Sequence, residues 1–166
     1  MKTTVYISPL GRILLAAEDG ALTGLWFAGQ KYEGRGLPES CVSVSPDREE
    51  ILAAAAEWLD SFFAGEIPEL NFSLRPKGTP FQLRVWKALT EIPYGKTVSY
   101  GQLAEKLGCR SARAVGSAVG KNPISLIIPC HRVIGADGSL TGYAGGIDRK
   151  KQLLALEQTQ RALHVS

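Results

Sequence analysis

The sequence predicts an α/β protein of two lobes: residues 1–76 hold a small antiparallel sheet plus a helix, and residues 77–166 form a mostly helical lobe with a helix-turn-helix and a candidate reactive cysteine. Three observations predict it. Apolar residues alternate with polar ones near the N-terminus, they recur at helical spacing in later segments, and the charge changes sign near residue 76. Residues 1–76 carry 6 basic and 11 acidic side chains, net −5, whereas residues 77–166 carry 13 basic and 5 acidic, net +8. A basic half suits a polyanion partner, although a solvated surface reads the same way.

The runs Val5-Tyr6-Ile7, Ile13-Leu14-Leu15 and Leu22 to Phe27 are separated by Pro9-Leu10-Gly11 and Asp19-Gly20, the turn chemistry of a three-stranded meander. Gly29 to Asp47 is polar and glycine-rich, a loop with room for a short strand at Cys41-Val42-Ser43-Val44. From Arg48 to Phe63, the apolar residues Ile51, Leu52, Ala55, Trp58, Leu59, Phe62 and Phe63 recur at helical spacing, the pattern of a core-facing helix, and Gly65 supplies the stop. Leu70 to Leu74 is expected as one more strand, and Arg75-Pro76-Lys77-Gly78 as the connection between the lobes. Thr79 caps the next helix and Pro80 starts it, with Phe81, Val85, Trp86 and Leu89 facing the core before Pro93-Tyr94-Gly95 ends it.

Ser99 is placed to cap a helix through Leu103 and Leu107, which Gly108 terminates, and Ser111 to cap a second helix from Ala112 to about Gly120. Helix, turn, helix is a weak sign of DNA binding by itself. The second helix says more, because Ala112, Ala114, Gly116, Ser117, Ala118 and Gly120 leave it nearly free of bulk, at about 1 kcal/mol for each interior glycine relative to alanine. Such a helix serves close packing on a neighbouring helix or entry into a narrow groove, and Arg113 among the small residues favours the groove.

Leu126-Ile127-Ile128 reads as a buried strand interrupted by Pro129, which sets Cys130 at a strand end followed by His131 and Arg132. A reactive thiolate needs cationic or hydrogen-bonding neighbours, and those two residues could supply them; an inert buried cysteine is the competing reading. In the last helix, with Asp148 as its expected cap, Leu153, Leu154 and Leu156 form the apolar stripe and Glu157 faces inward with them. An inward carboxylate calls for a fixed partner, and His131 suits better than the terminal His164; a capping or surface salt bridge is the alternative. Glu157 to His131 to Cys130 would then be an activated nucleophile.

Composition narrows the rest. With 166 residues, 45% hydrophobic and 21% charged, the chain is expected to fold as a soluble protein. It has no apolar h-region and no run near the roughly 18 residues that span a bilayer. Cys41, Cys109 and Cys130 are an odd set without Cys-x-x-Cys spacing, which suits neither a disulfide framework nor zinc. The expectation is a cytoplasmic protein with no cofactor, no metal and no membrane partner.

Taken together, Ile128-Pro129-Cys130-His131-Arg132-Val133, Pro93-Tyr94-Gly95, Ser99-Tyr100-Gly101, Ala112-Arg113-Ala114-Val115-Gly116, Asn122-Pro123, Tyr143-Ala144-Gly145-Gly146 and Leu154-Ala155-Leu156-Glu157 resemble, in order and spacing, the O6-alkylguanine-DNA alkyltransferase family (methylated-DNA–protein-cysteine methyltransferases). The resemblance covers the full chain and is nearest to the short bacterial type that stands alone. It implies that Cys130 accepts the alkyl group irreversibly, that His131 deprotonates it through a water, and that Glu157 holds the histidine. By the same resemblance, Arg113 enters the base stack from the minor-groove helix, and Tyr100 crowds the target phosphate so that the nucleotide rotates outward. Asn122 links the recognition helix to the active-site strand. Groups near Cys130 and Val133 read the extruded guanine, and Tyr143 donates to its departing O6 or a ring nitrogen. Ala144, beside Gly145, stands where some relatives carry serine, so only its backbone N–H could meet O6.

The implied partner is double-stranded DNA containing O6-alkylguanine, bound by a monomer, with cooperativity on DNA and activity on O4-alkylthymine left open. Two competitors belong to other classes. Alkyltransferase-like proteins bind the lesion without repairing it, but they lack the cysteine that this chain has. A cysteine hydrolase built on Cys130, His131 and Glu157 would leave the basic lobe and the thin helix without a purpose.

Overall fold

The computed structural model describes residues 1–140 and 142–165, with side chains to residue 160. The meander forms as expected from β1 (Lys2–Ser8), β2 (Gly11–Glu18) and β3 (Ala21–Phe27), antiparallel throughout. Two short strands extend it: β4 (Val42–Ser43) pairs parallel to β1, and β5 (Ser73–Leu74) parallel to β3, giving the order β4-β1-β2-β3-β5. Both are shorter than the runs that predicted them. Helix α1 (Glu50–Phe63) starts two residues later than expected, because Pro46–Arg48 forms a separate 3-10 turn and the Glu49 side chain caps Leu52 N–H.

Helix α2 (Pro80–Leu89) opens on a full capping box between Thr79 and Gln82, and Trp86 Nε1 ties it to the Ala118 carbonyl at 2.8 Å. After β6 (Val98–Ser99), helix α3 (Tyr100–Lys106) has a second capping box, Ser99 with Gln102. Gly108, at φ 67°, turns the chain into α4 (Ala112–Gly120), capped by Ser111. Helix, turn and helix thus stand where the sequence places them. Strand β7 (Val133–Ile134) pairs parallel to β6, and α5 (Ile147–Val165) closes the chain.

Three expectations need correction. Residues 126–128 are not a strand. Only Ile124 bridges Leu25, and the chain then turns, with Leu126 at φ 71° and Ile128 N–H bonded back to the Ile124 carbonyl. Pro129 has no N–H to offer a ladder, and the Asn122 amide takes the Ile124 and Ile128 carbonyls that pairing would use. Cys130 therefore begins a 3-10 turn, Cys130–Arg132, rather than ending a strand. Asp148 does not cap α5 but lies inside its first turn, where a carboxylate suits the helix dipole; the Gly146 carbonyl takes the first helical bond, from Lys150 N–H. Leu154 and Leu156 are only half-buried, and the buried stripe of α5 is Lys150, Leu153 and Glu157.

One apolar core runs through both halves, joining Leu25, Phe27 and Phe62 to Trp86, Val119 and Leu153. Backbone bonds cross it as well: Leu25 N–H donates to the Pro123 carbonyl and accepts, through its own carbonyl, from Ser125 N–H. No helix among the described residues is long and apolar enough to cross a membrane.

Candidate active site

The site is built where α4, the turn that follows it and α5 meet. Asn122 leaves α4 with its N–H on the Val119 carbonyl, while its side chain receives Ile124 N–H at 3.0 Å and donates to the Ile128 carbonyl at 2.8 Å. One buried amide thus holds a turn that contains a left-handed leucine, a conformation costing about 1–2 kcal/mol for a residue with a Cβ. The turn delivers Cys130, only 5% exposed, at the head of its 3-10 turn. Asn122 thus bonds the end of α4 to the segment before Cys130, which is a turn rather than the expected strand.

Burial pushes the Cys130 thiol up, and the Asn122 side chain, the Lys150 charge and Ser125 pull against that without overcoming it. The resting group is a thiol. His131 follows, wholly buried, with Nε2 2.7 Å from Glu157 Oε2. Burial holds the imidazole below its ordinary range, outweighing the Glu157 hydrogen bond and charge, so the ring is neutral near pH 7. Burial alone would raise Glu157, but its hydrogen bonds and the charges around it bring the carboxyl down to about 2. An ionised acceptor on Nε2 places the ring proton there and leaves Nδ1 with its lone pair; among the described residues Nδ1 has no hydrogen-bond partner.

Arg132 is not a partner of the thiol. Its Nε and Nη2 grip Glu157 at 2.8 and 2.9 Å, and its Nη1 donates to the Ile92 carbonyl. Glu157 also accepts Gly95 N–H at 3.4 Å, so every lone-pair direction is used and the buried ion pair is solvated by the protein itself. His164, the other histidine considered for Glu157, lies outside the described side chains.

Of the remaining site residues, Gly116, Ser117, Tyr143 and Ala144 line a cleft of about 310 Å³ together with Gly120, Gly142, and Lys31 and Tyr32 from the segment after β3, whereas Cys130, Tyr100, Arg113, Ala112, Ala114, Val133 and Gly145 do not line it. Among the described residues the buried Tyr143 hydroxyl has no partner at hydrogen-bond distance and geometry, and burial keeps it protonated far above the ordinary tyrosine range. Tyr100, half-buried at the start of α3, packs its ring over Gly116. Ala112, Arg113, Ala114 and Ser117 lie exposed on α4, and Val133 is buried with its N–H on the Cys130 carbonyl.

Family models match both halves of the chain: the ribonuclease-like domain of 6-O-methylguanine DNA methyltransferase over residues 1–76, and its DNA-binding domain over residues 80–159. The chain belongs to the 6-O-methylguanine DNA methyltransferase family. It is 50% identical over 152 residues to the methylated-DNA–protein-cysteine methyltransferase of Mycolicibacterium paratuberculosis, spanning 91% of this chain and 88% of that one. To the enzyme of the same name from Methanosarcina acetivorans it is 46% identical over 158 residues, 95% and 98% of the two chains. The crystal structure of Mycobacterium tuberculosis OGT in complex with DNA superposes with a TM-score of 0.86 at 43% identity, covering 96% and 94%. Membership makes this chain a DNA-repair methyltransferase whose acceptor is a protein cysteine.

Several residues around this candidate site carry no signal that the sequence reading used. Lys150 is wholly buried, its Nζ 2.5 Å from the Val133 carbonyl, and it is the cation felt by the Cys130 thiol. Its spacing from Leu153 and Glu157, three and seven residues, puts it on the buried stripe and could have found it. The grip of Arg132 on Glu157, and the approach of Lys31 and Tyr32 to the cleft, join residues far apart in sequence and carry no local signal. Among the described residues, no group of three His, Cys, Asp or Glu side chains is placed to hold a metal ion.

Proposed function

We propose that this methyltransferase removes the alkyl group from O6-alkylguanine in duplex DNA and keeps it on Cys130 Sγ. The observation that carries the reading is the buried pair beside the thiol in sequence, in which the Glu157 carboxylate fixes the His131 proton on Nε2 and leaves Nδ1 as an acceptor with no hydrogen-bond partner among the described residues. The Cys130 proton passes through a water to Nδ1, Sγ attacks the alkyl carbon, and the C–O6 bond breaks with its electron pair left on the base. Tyr143, held protonated, donates to O6 or a ring nitrogen of the departing guanine. The proton taken up by His131 returns through water to the base, or to Tyr143 if the phenol has given up its own, so that thiol and alkylated base become thioether and guanine. A thioether has no easy reverse reaction, so each chain acts once. Incubation with a duplex containing O6-methylguanine, followed by intact mass, should add one methylene at Cys130; bound DNA with no mass gain would mean lesion binding alone. O4-alkylthymine presents the same kind of O-alkyl bond and is the second substrate to assay.

Docking on DNA rests on the thin face of α4. A methyl group at Gly120 would meet nothing within 4 Å, and at Gly116 only the Tyr100 ring at 3.5 Å. Internal packing therefore does not require either glycine, whereas a minor groove pressed against this face would. Arg113, Ala112, Ala114 and Ser117 lie on the exposed part of the same helix, in the basic lobe, which we take as residues 77–166 with the first lobe as 1–76. In this reading Arg113 fills the stack while Tyr100 crowds the phosphate, offsetting the few kcal/mol of extruding a base. Val133, Ala144 and Gly145 frame the extruded guanine. We take the acting species to be a monomer.

Two outcomes test these roles. Arg113→Ala should slow repair in duplex DNA by about 10-fold or more while leaving reaction with free O6-benzylguanine near wild type, since only the duplex requires extrusion. Equal losses on both substrates would remove the finger role. The second is the pH profile of single-turnover transfer. His131 is held below its ordinary 6.5, so the neutral base persists as pH falls through that value; the thiol is held above its ordinary 9.0, so the rate climbs with pH toward that region. A rate that collapses between pH 7 and 6.5 would show a histidine titrating at its ordinary value, contrary to a buried relay.

A further inference from the structure

Arg149, on the first turn of α5, reaches out of its own lobe. Its Nε donates to the Leu10 carbonyl at 2.9 Å, in the β1–β2 turn, and its Nη2 points to the Ala28 carbonyl at 3.5 Å, just past β3. Its Nη1 donates to the Gly145 carbonyl at 3.1 Å, and the guanidinium lies 4.7 Å from the centre of the Phe27 ring. The receiving turn is shaped for it: Gly11 has φ 116°, and a Cβ there would stand 3.1 Å from Arg149 Nη2.

Gly145 is the link to the chemistry. A Cβ on it would lie 2.5 Å from the Tyr143 ring and 3.2 Å from the Phe27 ring, so the Tyr143 ring is seated directly on the Gly145 backbone. A second bond from the first lobe, Lys31 N–H to the Ala144 carbonyl at 3.4 Å, holds the same segment. The position of the Tyr143 hydroxyl is thus set by Gly145, and that of Gly145 by a guanidinium anchored on first-lobe carbonyls.

We infer that Arg149 is a positioning residue that uses the first lobe as a rigid anchor to aim the Tyr143 hydroxyl at the departing guanine. The inference rests on the reading of Tyr143 as donor to the leaving group. It assigns the N-terminal sheet a part in the reaction beyond folding: the β1–β2 turn and the end of β3 fix the geometry of a group on the other lobe. A planar fork with several donors suits three carbonyls at fixed angles; a lysine ammonium would not span them equally. A displacement of about 1 Å at a group acting on the transition state is enough to cost up to 100-fold.

The test compares two reagents on the full chain. Arg149→Ala should slow reaction with free O6-benzylguanine by about 10- to 100-fold, mainly in the saturating rate rather than the half-saturating concentration. Alkylation of Cys130 by iodoacetamide, which needs no leaving-group donor of this kind, should stay near wild type. Arg149→Lys, which keeps charge and bulk, should fall between, and it serves if the alanine variant does not fold. Because Arg149 is held to act through Tyr143, Arg149→Ala combined with Tyr143→Phe should be no slower than the slower single variant. Unchanged benzylguanine kinetics, equal loss toward iodoacetamide, or additive losses in the double variant would each overturn the assignment. A wild-type chain that reacts with iodoacetamide but never with benzylguanine would instead overturn the alkyl-transfer reading, and this inference with it.

Discussion

Cys130→Ser is expected to transfer no alkyl group while still binding alkylated duplex DNA. The hydroxyl is nearly the size of the thiol, and the site around it is packed, so the turn held by Asn122 should survive the exchange. The chemistry should not, because an aliphatic hydroxyl has a far higher pKa and is a much weaker nucleophile than a thiol. The relay of His131 and Glu157 cannot compensate, since it only takes the proton of whatever group is offered. Arg113 and the thin face of α4 are untouched, so the variant should hold DNA with an affinity that falls steeply as salt rises. Thiol labelling and DNA retention, measured together, decide it: the wild type should lose one labelled thiol per lesion repaired, and the variant should retain the lesion. A serine variant that demethylates, or a wild type that turns over repeatedly, would rule out Cys130 as the stoichiometric acceptor.

Glu157→Gln should damage both chemistry and stability. The carboxylate accepts from His131, twice from Arg132 and once from Gly95, all in a wholly buried place. Glutamine keeps one acceptor oxygen and presents an NH2 to partners that are themselves donors, leaving the guanidinium partly unmatched. Breaking a buried ion pair on one side costs about 3–5 kcal/mol. With the amide able to impose the wrong imidazole tautomer, alkyl transfer should slow by on the order of 100-fold or more. DNA affinity should be nearly unchanged, because these groups are buried and none belongs to the exposed face of α4.

The pH dependence of stability carries a second signature. The folded Glu157 carboxyl sits at about 2 against an ordinary 4.5, so its contribution is complete above 4.5 and is lost as pH falls toward 2. His131, held below 6.5, acts in the same direction: the unfolded chain takes up its proton first as pH drops below that value. Urea unfolding of the wild type should therefore weaken from below pH 6.5, and the glutamine variant should lack the part between 4.5 and 2. A variant with full transfer activity would remove Glu157 from the mechanism.

Local chemistry made much of the fold legible. Pro9-Leu10-Gly11 and Asp19-Gly20 specify tight turns whatever surrounds them, and the meander follows; Thr79 and Ser99, each with a glutamine three residues on, start helices through bonds made within one turn. The inward direction of Glu157 was legible for the same reason, since its spacing from Leu153 holds for any α-helix. Where pairing with a distant segment competes with local bonding, the reading failed. Residues 126–128 have the composition of a strand, but the Asn122 amide and Pro129 remove the ladder.

By itself, the sequence determined the order of elements, the charge contrast between the halves, the thin helix with Arg113, the contiguous Cys130-His131-Arg132 run and the inward direction of Glu157, because each depends on spacing within one element or on a contiguous motif; that Glu157 meets His131 rather than a surface partner was decided by packing. The tertiary structure alone decided that Arg132 serves Glu157 rather than the thiol, that Lys150 is the cation beside Cys130, that Lys31 and Tyr32 border the cleft, and that Arg149 ties Gly145 to the β1–β2 turn. The Arg132–Glu157, Lys150–Val133 and Arg149–Leu10 bonds join residues 25, 17 and 139 positions apart. A buried charge must find its partner wherever packing brings one, and packing is a property of the whole core rather than of any segment.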